Sequence, residues 1–186
     1  SISVWFQPQQ AELSSIIGNS FNGGNFEGYM IWQSQNGSNV RVNCRLRKSA
    51  SHMVQFQGSI NLSLNQWHHL VMTYDGTGVN TGLKLYIDGA DSAGTRQGIM
   101  NQDIDWTINN IPFNIGSRMN GNLAFNGLID EVSVFDSELS SSDVSDIYSG
   151  GTPDSLSSLS PVSWWRFEEG SGTTANDLGS ASNTGT

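Results

Sequence analysis

The sequence predicts an all-β protein, a two-sheet antiparallel sandwich with one short helix, and three observations carry that prediction. Apolar and polar residues alternate with a period of two in run after run, which turns one side of each run toward a core and the other toward water. Between the runs stand Asn22-Gly23-Gly24, Asn36-Gly37, Asp75-Gly76, Asp88-Gly89 and Asn120-Gly121, pairings that accept the positive φ of tight turns. Charged residues are only 13% of the chain and Gly numbers 21, so polarity comes from uncharged turn formers and not from the Glu, Lys and Arg that coat exposed helices. At 186 residues the chain suits one sandwich domain.

The alternating runs are residues 1–6, 28–33, 40–47, 53–57, 67–74, 83–88, 113–116 and 127–135, a sandwich's worth of strands. The first places Ile2, Val4 and Phe6 on one face. It opens the chain with no leader before it, so the chain reads as a fragment of a longer protein. Residues 40–47 put Val40, Val42, Cys44 and Leu46 on one face and Arg41, Asn43, Arg45 and Arg47 on the other; with Lys48 they hold four of the eight basic residues. That face is either a solvated exterior or a patch for an anionic glycan or a neighbouring acidic subunit, reached by planar guanidinium forks. In residues 127–135, Leu128, Asp130, Val132 and Val134 share a face.

The one helix signal is residues 140–148, where Ser140 caps, Asp143 follows three residues later, and Val144, Ile147 and Tyr148 make one apolar face. Gly150 and Gly151 stop it. Residues 152–160 are Ser-rich, contain Pro153 and read as a linker. Residues 162–167 are again strand-like, and the adjacent Trp164 and Trp165 require burial against something.

The net charge of −9 repels phosphate backbones and anionic membranes, which argues against nucleic acid as a partner. No stretch approaches the ~18 apolar residues of a membrane span. The single Cys44 forms no internal disulfide, which favours a bacterial or viral module over a eukaryotic receptor domain.

The runs WHHLVMTYDG (67–76), LKLYIDG (83–89), FNIGSR (113–118) and FNGLIDEVSVFDSELSSSDVSDIYSGG (125–151), in that order, resemble the laminin-G-like jelly-roll family of the concanavalin A-like lectin/glucanase superfamily. The opening residues 1–8 and 14–19 resemble its early strands, so the likeness covers residues 1–151. Residues 161–186 resemble the element that normally begins such a domain, displaced to the end of the chain. They either close this module, start the next or insert into a neighbouring copy. The linker followed by Trp-Trp-Arg is also similar to tandem modules in surface and virion proteins of marine bacteria and their phages.

The resemblance brings glycoside hydrolases into view, which need paired carboxylates facing the scissile bond in a Glu-x-Asp-x-x-Glu strand motif. The nearest match, residues 103–108, has Asp103 and Asp105 but Ile108 at the last acidic position, so an enzyme is not expected. Cys44 falls on an apolar face, where a thiol is inert. His68 and His69 are adjacent, so alternation lets only one face inward, and His52 has no ligand-spaced partner; transition-metal binding is unsupported. The Gly-rich turns lack the Lys-Ser/Thr and helix of a phosphate loop.

The resemblance implies a structural calcium ion at the sandwich rim, with Asp130 matching one ligand position and Glu168 or Glu169, the carbonyl near Gly170, and Asp177 completing the set. The competing reading has Asp130 capping a turn or pairing with Arg118 or Arg166. If glycans bind, the family points to the sheet face or rim loops, with Trp32, Trp106, Arg118, Asn120 and residues 19–25 and 118–122 as candidates beside Arg41, Arg45 and Arg47. Trp5, Trp67 and Trp164 lie in strongly patterned strands and are expected in the core. The expected role is a non-catalytic binding module at a cell or virion surface, recognising carbohydrate. The alternative is a structural decoration, fibre or repeat module whose partner is another copy, within a larger multidomain or oligomeric assembly.

Overall fold

The computed structural model describes residues 1–19, 28–49, 51–99, 112–118 and 121–186. In chain order its strands are β1 (Ile2–Pro8), β2 (Ser14–Gly18), β3 (Gly28–Asn36), β4 (Asn39–Arg47), β5 (Met53–Gln57), β6 (His68–Tyr74), β7 (Leu83–Ile87), β8 (Ala90–Asp91), β9 (Thr95–Ile99), β10 (Asn114–Ile115), β11 (Gly127–Val134) and β12 (Ser163–Trp165), with helix α1 (Ser141–Tyr148) between the last two. They form two six-stranded sheets: sheet one runs β12-β11-β1-β6-β7-β8, and sheet two runs β10-β2-β3-β4-β5-β9. Every pairing within them is antiparallel. The predicted sandwich is therefore the observed one.

The core lies between the sheets, where alternate residues of facing strands interdigitate. Phe6, Ile16, Ile31, Phe56, Leu70 and Leu85 are fully buried there, with Val42 and Cys44 from β4. Removing each such side chain from water stabilises the fold by ~1.5–3 kcal/mol. Burial pushes the Cys44 thiol far above its ordinary pKa, so it packs as a small apolar group.

A second apolar layer covers the outer face of sheet one. The helix begins as read, Ser140 accepting from the Asp143 N–H while the Asp143 carboxylate takes the Ser140 N–H. Its left-handed cap is Ser149 (φ 46), with Gly150 (φ 69) next. Val144 and Ile147 of α1 pack on Val71, Tyr86, Phe135, Leu139, Leu156 and Trp164. Leu156 belongs to the segment read as a linker, and it is buried; the connection is anchored across sheet one.

This layer corrects the expectation for the adjacent histidines. Alternation does hold along β6, with His68 beside Phe6 and His69 on the opposite face between Trp5 and Tyr148. Both are nevertheless buried, because both faces of the sheet are covered. His69 bonds the Ser3 hydroxyl at 2.8 Å, and burial drives its pKa down to about 4. The Asp88-Gly89 turn has φ of 50° and 79°, which joins β7 to β8 in the two-residue hairpin geometry. A Cβ on Gly89 would meet the Tyr148 ring at 2.8 Å, so this glycine also seats the helix. Trp67 departs from its expected place in the core: β6 begins one residue later, and Trp67 is 42% exposed.

The face assignment of residues 127–135 also changes. The β1–β11 register shifts between Ser3 and Trp5, and Glu131 takes φ 50. This bulge puts one extra residue into β11. Ile129, Val132 and Val134 pack into the core, while Leu128 is 47% exposed. Asp130 pairs with Trp5 on the outer face.

Candidate functional site

The outer face of sheet two is the surface that the alternation of β4 leaves polar. Opposite the buried Val40, Val42, Cys44 and Leu46, β4 carries Arg41, Asn43, Arg45 and Arg47. Register sets Trp32 of β3 opposite Asn43, Ser34 opposite Arg41, and Gln55 of β5 opposite Arg45. Asn43 is buried and its amide donates to the Ser34 hydroxyl at 3.0 Å, which fixes the middle of the strip. Arg41, Arg45, Arg47, Trp32 and Arg118 are each half-buried.

Arg45 is the centre of this group. Its guanidinium carbon lies 5.7 Å from the centre of the Trp32 ring, a cation–π distance. Burial first, then the neighbouring Arg118 and Arg47 cations, drive its pKa down to about 10. Burial lowers Arg118 as well. No carboxylate pairs with Arg41 or Arg45 among the described residues. Arg45 Nη2 and Arg41 Nε are buried atoms without a hydrogen-bond partner among the described residues. Such donors carry an unmet desolvation cost that an anionic acceptor would relieve. Trp106 and Asn120 lie outside the described residues, as do Asp103 and Asp105 and most of residues 19–25.

The residues predicted to hold calcium do not form one site. Asp130 and Glu168 line a cleft of about 260 Å³ with Glu131, Asp154, Trp164 and Arg166. Burial lifts the Asp130 carboxyl above its ordinary range, and its Oδ1 accepts the Glu131 N–H at 2.9 Å. Glu168 faces Arg166 at 3.5 Å. Gly170 lines a different groove. Asp177 accepts three backbone N–H groups, from Trp164 at 2.6 Å, Asn183 at 2.7 Å and Gly179 at 2.8 Å. Burial raises its pKa, and those donors outweigh burial to leave it below the usual value. Among the described residues no three carboxylate, His or Cys side chains gather as a metal would need. The ligand set does not fit the ion, because Asp177 is spent on ordering the tail and Arg166 supplies the cation beside Asp130.

Sequence reasoning missed Glu131. The bulge turns it onto the outer face of sheet one, where it is 6% exposed. It accepts Trp164 Nε1–H at 2.6 Å and Arg166 Nε–H at 3.1 Å. These bonds fasten β12, which pairs with β11 through Val132–Trp165, Ser133–Trp164 and Val134–Ser163. Both tryptophans are buried against their own chain. The signal in the sequence was the Asp130-Glu131 pair itself, since period-two alternation through two adjacent acids would force one into the core unless a bulge intervened.

The comparisons with known proteins agree with this architecture. A family model described as the concanavalin A-like lectin/glucanases superfamily, laminin G type, matches residues 1–145. No curated protein matches the chain. A crystal structure of a candidate carbohydrate binding protein from Bacteroides ovatus is similar, with TM-score 0.66 and 17% identity over 98% of this chain and 49% of that one. This chain thus spans about half of that protein, and the similarity takes in residues 161–186. A heptameric SAP-like pentraxin from Limulus polyphemus is also similar, with TM-score 0.53 and 14% identity over 79% of this chain and 68% of that one. Among the described residues no helix is long and apolar enough to cross a membrane.

Proposed function

We propose, from the premise that this chain belongs to the laminin-G-like family of the concanavalin A-like lectin/glucanase superfamily, that it is a non-catalytic carbohydrate-recognition module. In this reading the outer face of sheet two takes glycans bearing carboxylate or sulfate groups. The family fold supports a binding module, and the observation that carries the ligand class is Arg45. It is held over Trp32, crowded by Arg47 and Arg118, and without a carboxylate partner among the described residues.

Trp32 offers a ring on which a sugar face stacks, and the guanidinium forks match planar anionic groups. The net charge of −9 does not forbid this. Charges beyond ~8 Å are largely screened at physiological salt, so the local cationic strip governs an anion seated on it. In this reading the module acts outside the cell or on the surface of a particle, where it meets polymeric glycans.

Isothermal titration with sulfated and uronate-containing oligosaccharides tests the reading. Saturable binding that weakens with added salt is expected, and Arg45→Ala loses about tenfold or more in affinity, the size of one charge-assisted contact. A folded wild-type protein that binds no anionic glycan removes the proposal.

A further inference from the structure

The open side of the sandwich, where β10 ends sheet two and β12 ends sheet one, holds a groove of about 1180 Å³. It exceeds the ~300–1,000 Å³ typical of a small-molecule pocket and suits an extended ligand. Its floor is built: the Phe113 ring stacks on Trp165 with centroids 5.4 Å apart and planes 18° from parallel. The Trp165 Nε1–H donates to the Asn183 carbonyl at 2.9 Å, which locks the indole in place. One wall comes from Asn114 and Ser117, and the other from the tail, including Phe167, Thr173 and Thr174. The Ala175–Gly185 bridge closes the tail into a loop that keeps this wall in place.

Phe167 is 36% exposed and takes φ 53, a left-handed conformation that bulky side chains avoid. An aromatic ring held at the mouth of a cavity in an unfavoured backbone geometry directs attention to what the ring contacts. The chemistry of the lining narrows the answer. Glu169 is the one ionisable side chain among the described residues of the groove, and its carboxylate already accepts the Asn176 N–H at 2.7 Å. Lys, Arg and His are absent from that lining, so nothing there attracts an anion. An added peptide strand is disfavoured as well, because β10 is two residues long and follows Pro112.

We infer that this groove is a second binding site, for a neutral oligosaccharide whose apolar ring face stacks on Phe167 and whose hydroxyls meet the amide and hydroxyl groups of Asn114, Ser117, Thr173 and Thr174. Uncharged sugars combine an apolar C–H face with hydroxyls on the rim, which is the pairing this lining offers. The site is separate from the arginine face and does not depend on it.

The test is titration of the whole chain, followed by intrinsic tryptophan fluorescence and by calorimetry, with neutral hexasaccharides of the β-1,3-glucan, β-1,4-glucan, α-1,4-glucan, xylan and mannan series. Saturable binding of at least one, insensitive to salt, is expected. Phe167→Ala and, separately, Thr174→Ala lower that affinity at least tenfold and about threefold, with unchanged melting temperatures. Arg45→Ala leaves it unchanged, so loss of the anionic ligand and loss of the neutral one are read independently. No saturable binding across the panel overturns the inference, and so does binding that both groove variants retain in full.

Discussion

On the outer face of sheet one, Trp5, His69, Val71 and Tyr86 project from β1, β6 and β7 and are buried beneath α1 and the tail. On the outer face of sheet two, Trp32, Arg41, Arg45 and Arg47 project from β3 and β4 and are left half-buried. Both faces arise from the same period-two alternation, so pleating does not distinguish them. What separates them is a covering layer: one helix and a returning tail turn the first into a second core, where even a carboxylate and an imidazole are enclosed. The second keeps, at Arg41 and Arg45, cations that no carboxylate among the described residues pairs with. The lesson is that the hydrophobicity of a strand's outer positions reports what covers the sheet, and a polar set that stays unmatched is a surface available to a ligand.

The hardest blow to the covered face is Trp164→Ala. The indole is 7% exposed and donates to the buried Glu131, so its removal opens a cavity and leaves a carboxylate short of a donor. A loss of ~3–5 kcal/mol is expected, read by calorimetry as a fall of about 10 °C in melting temperature. A small effect would mean that the tail does not close sheet one.

Acid attacks the same layer through His69. The unfolded chain takes up a proton near pH 6.5, whereas the folded imidazole, desolvated under Trp5 and Tyr148, accepts one only near 4. Stability contributed by the neutral ring is therefore complete above 6.5 and is lost as pH falls toward 4, at ~1.4 kcal/mol per pH unit. Denaturant unfolding between pH 7 and 4 measures that slope, and His69→Gln, which keeps an acceptor for Ser3, flattens it. An unchanged slope in the variant would assign the acid sensitivity elsewhere.

The smallest expected effect is that of a chelator. With Asp177 committed to three backbone N–H groups and Arg166 set against Glu131 and Glu168, removal of divalent cations leaves the melting temperature where it was. A clear fall on chelation, erased in Asp130→Ala, would return a calcium ion to the covered face.

Much of this architecture was legible in advance because it rests on local patterns. The β4 alternation names both its core face and its arginine face, and Ser140 with Asp143 marks the helix start that the structure realises. The Asp88-Gly89 turn needed only the positive φ that its residues allow. Other features were out of reach because they depend on partners distant in the chain. Trp67 was expected inside, yet β6 starts after it. Leu156 sat in a segment that composition alone marks as a linker, until the outer face of sheet one supplied an apolar bed for it. The groove joins residues 112–117 to 165–186, which no short-range pattern links.

The sequence by itself determined the all-β sandwich, the positions of most strands though not of β8 and β9, the capped helix and the polar face of β4, since periodicity, turn chemistry and capping act over a few residues. Tertiary structure decided the packing of Glu131 against the tail, the burial of both histidines, the separation of Gly170 and Asp177 from the cleft that Asp130 and Glu168 share, and the groove beside Phe167. The reason is physical: a residue's side of a strand follows from its neighbours in the chain, but what lies over that side follows from how remote segments pack.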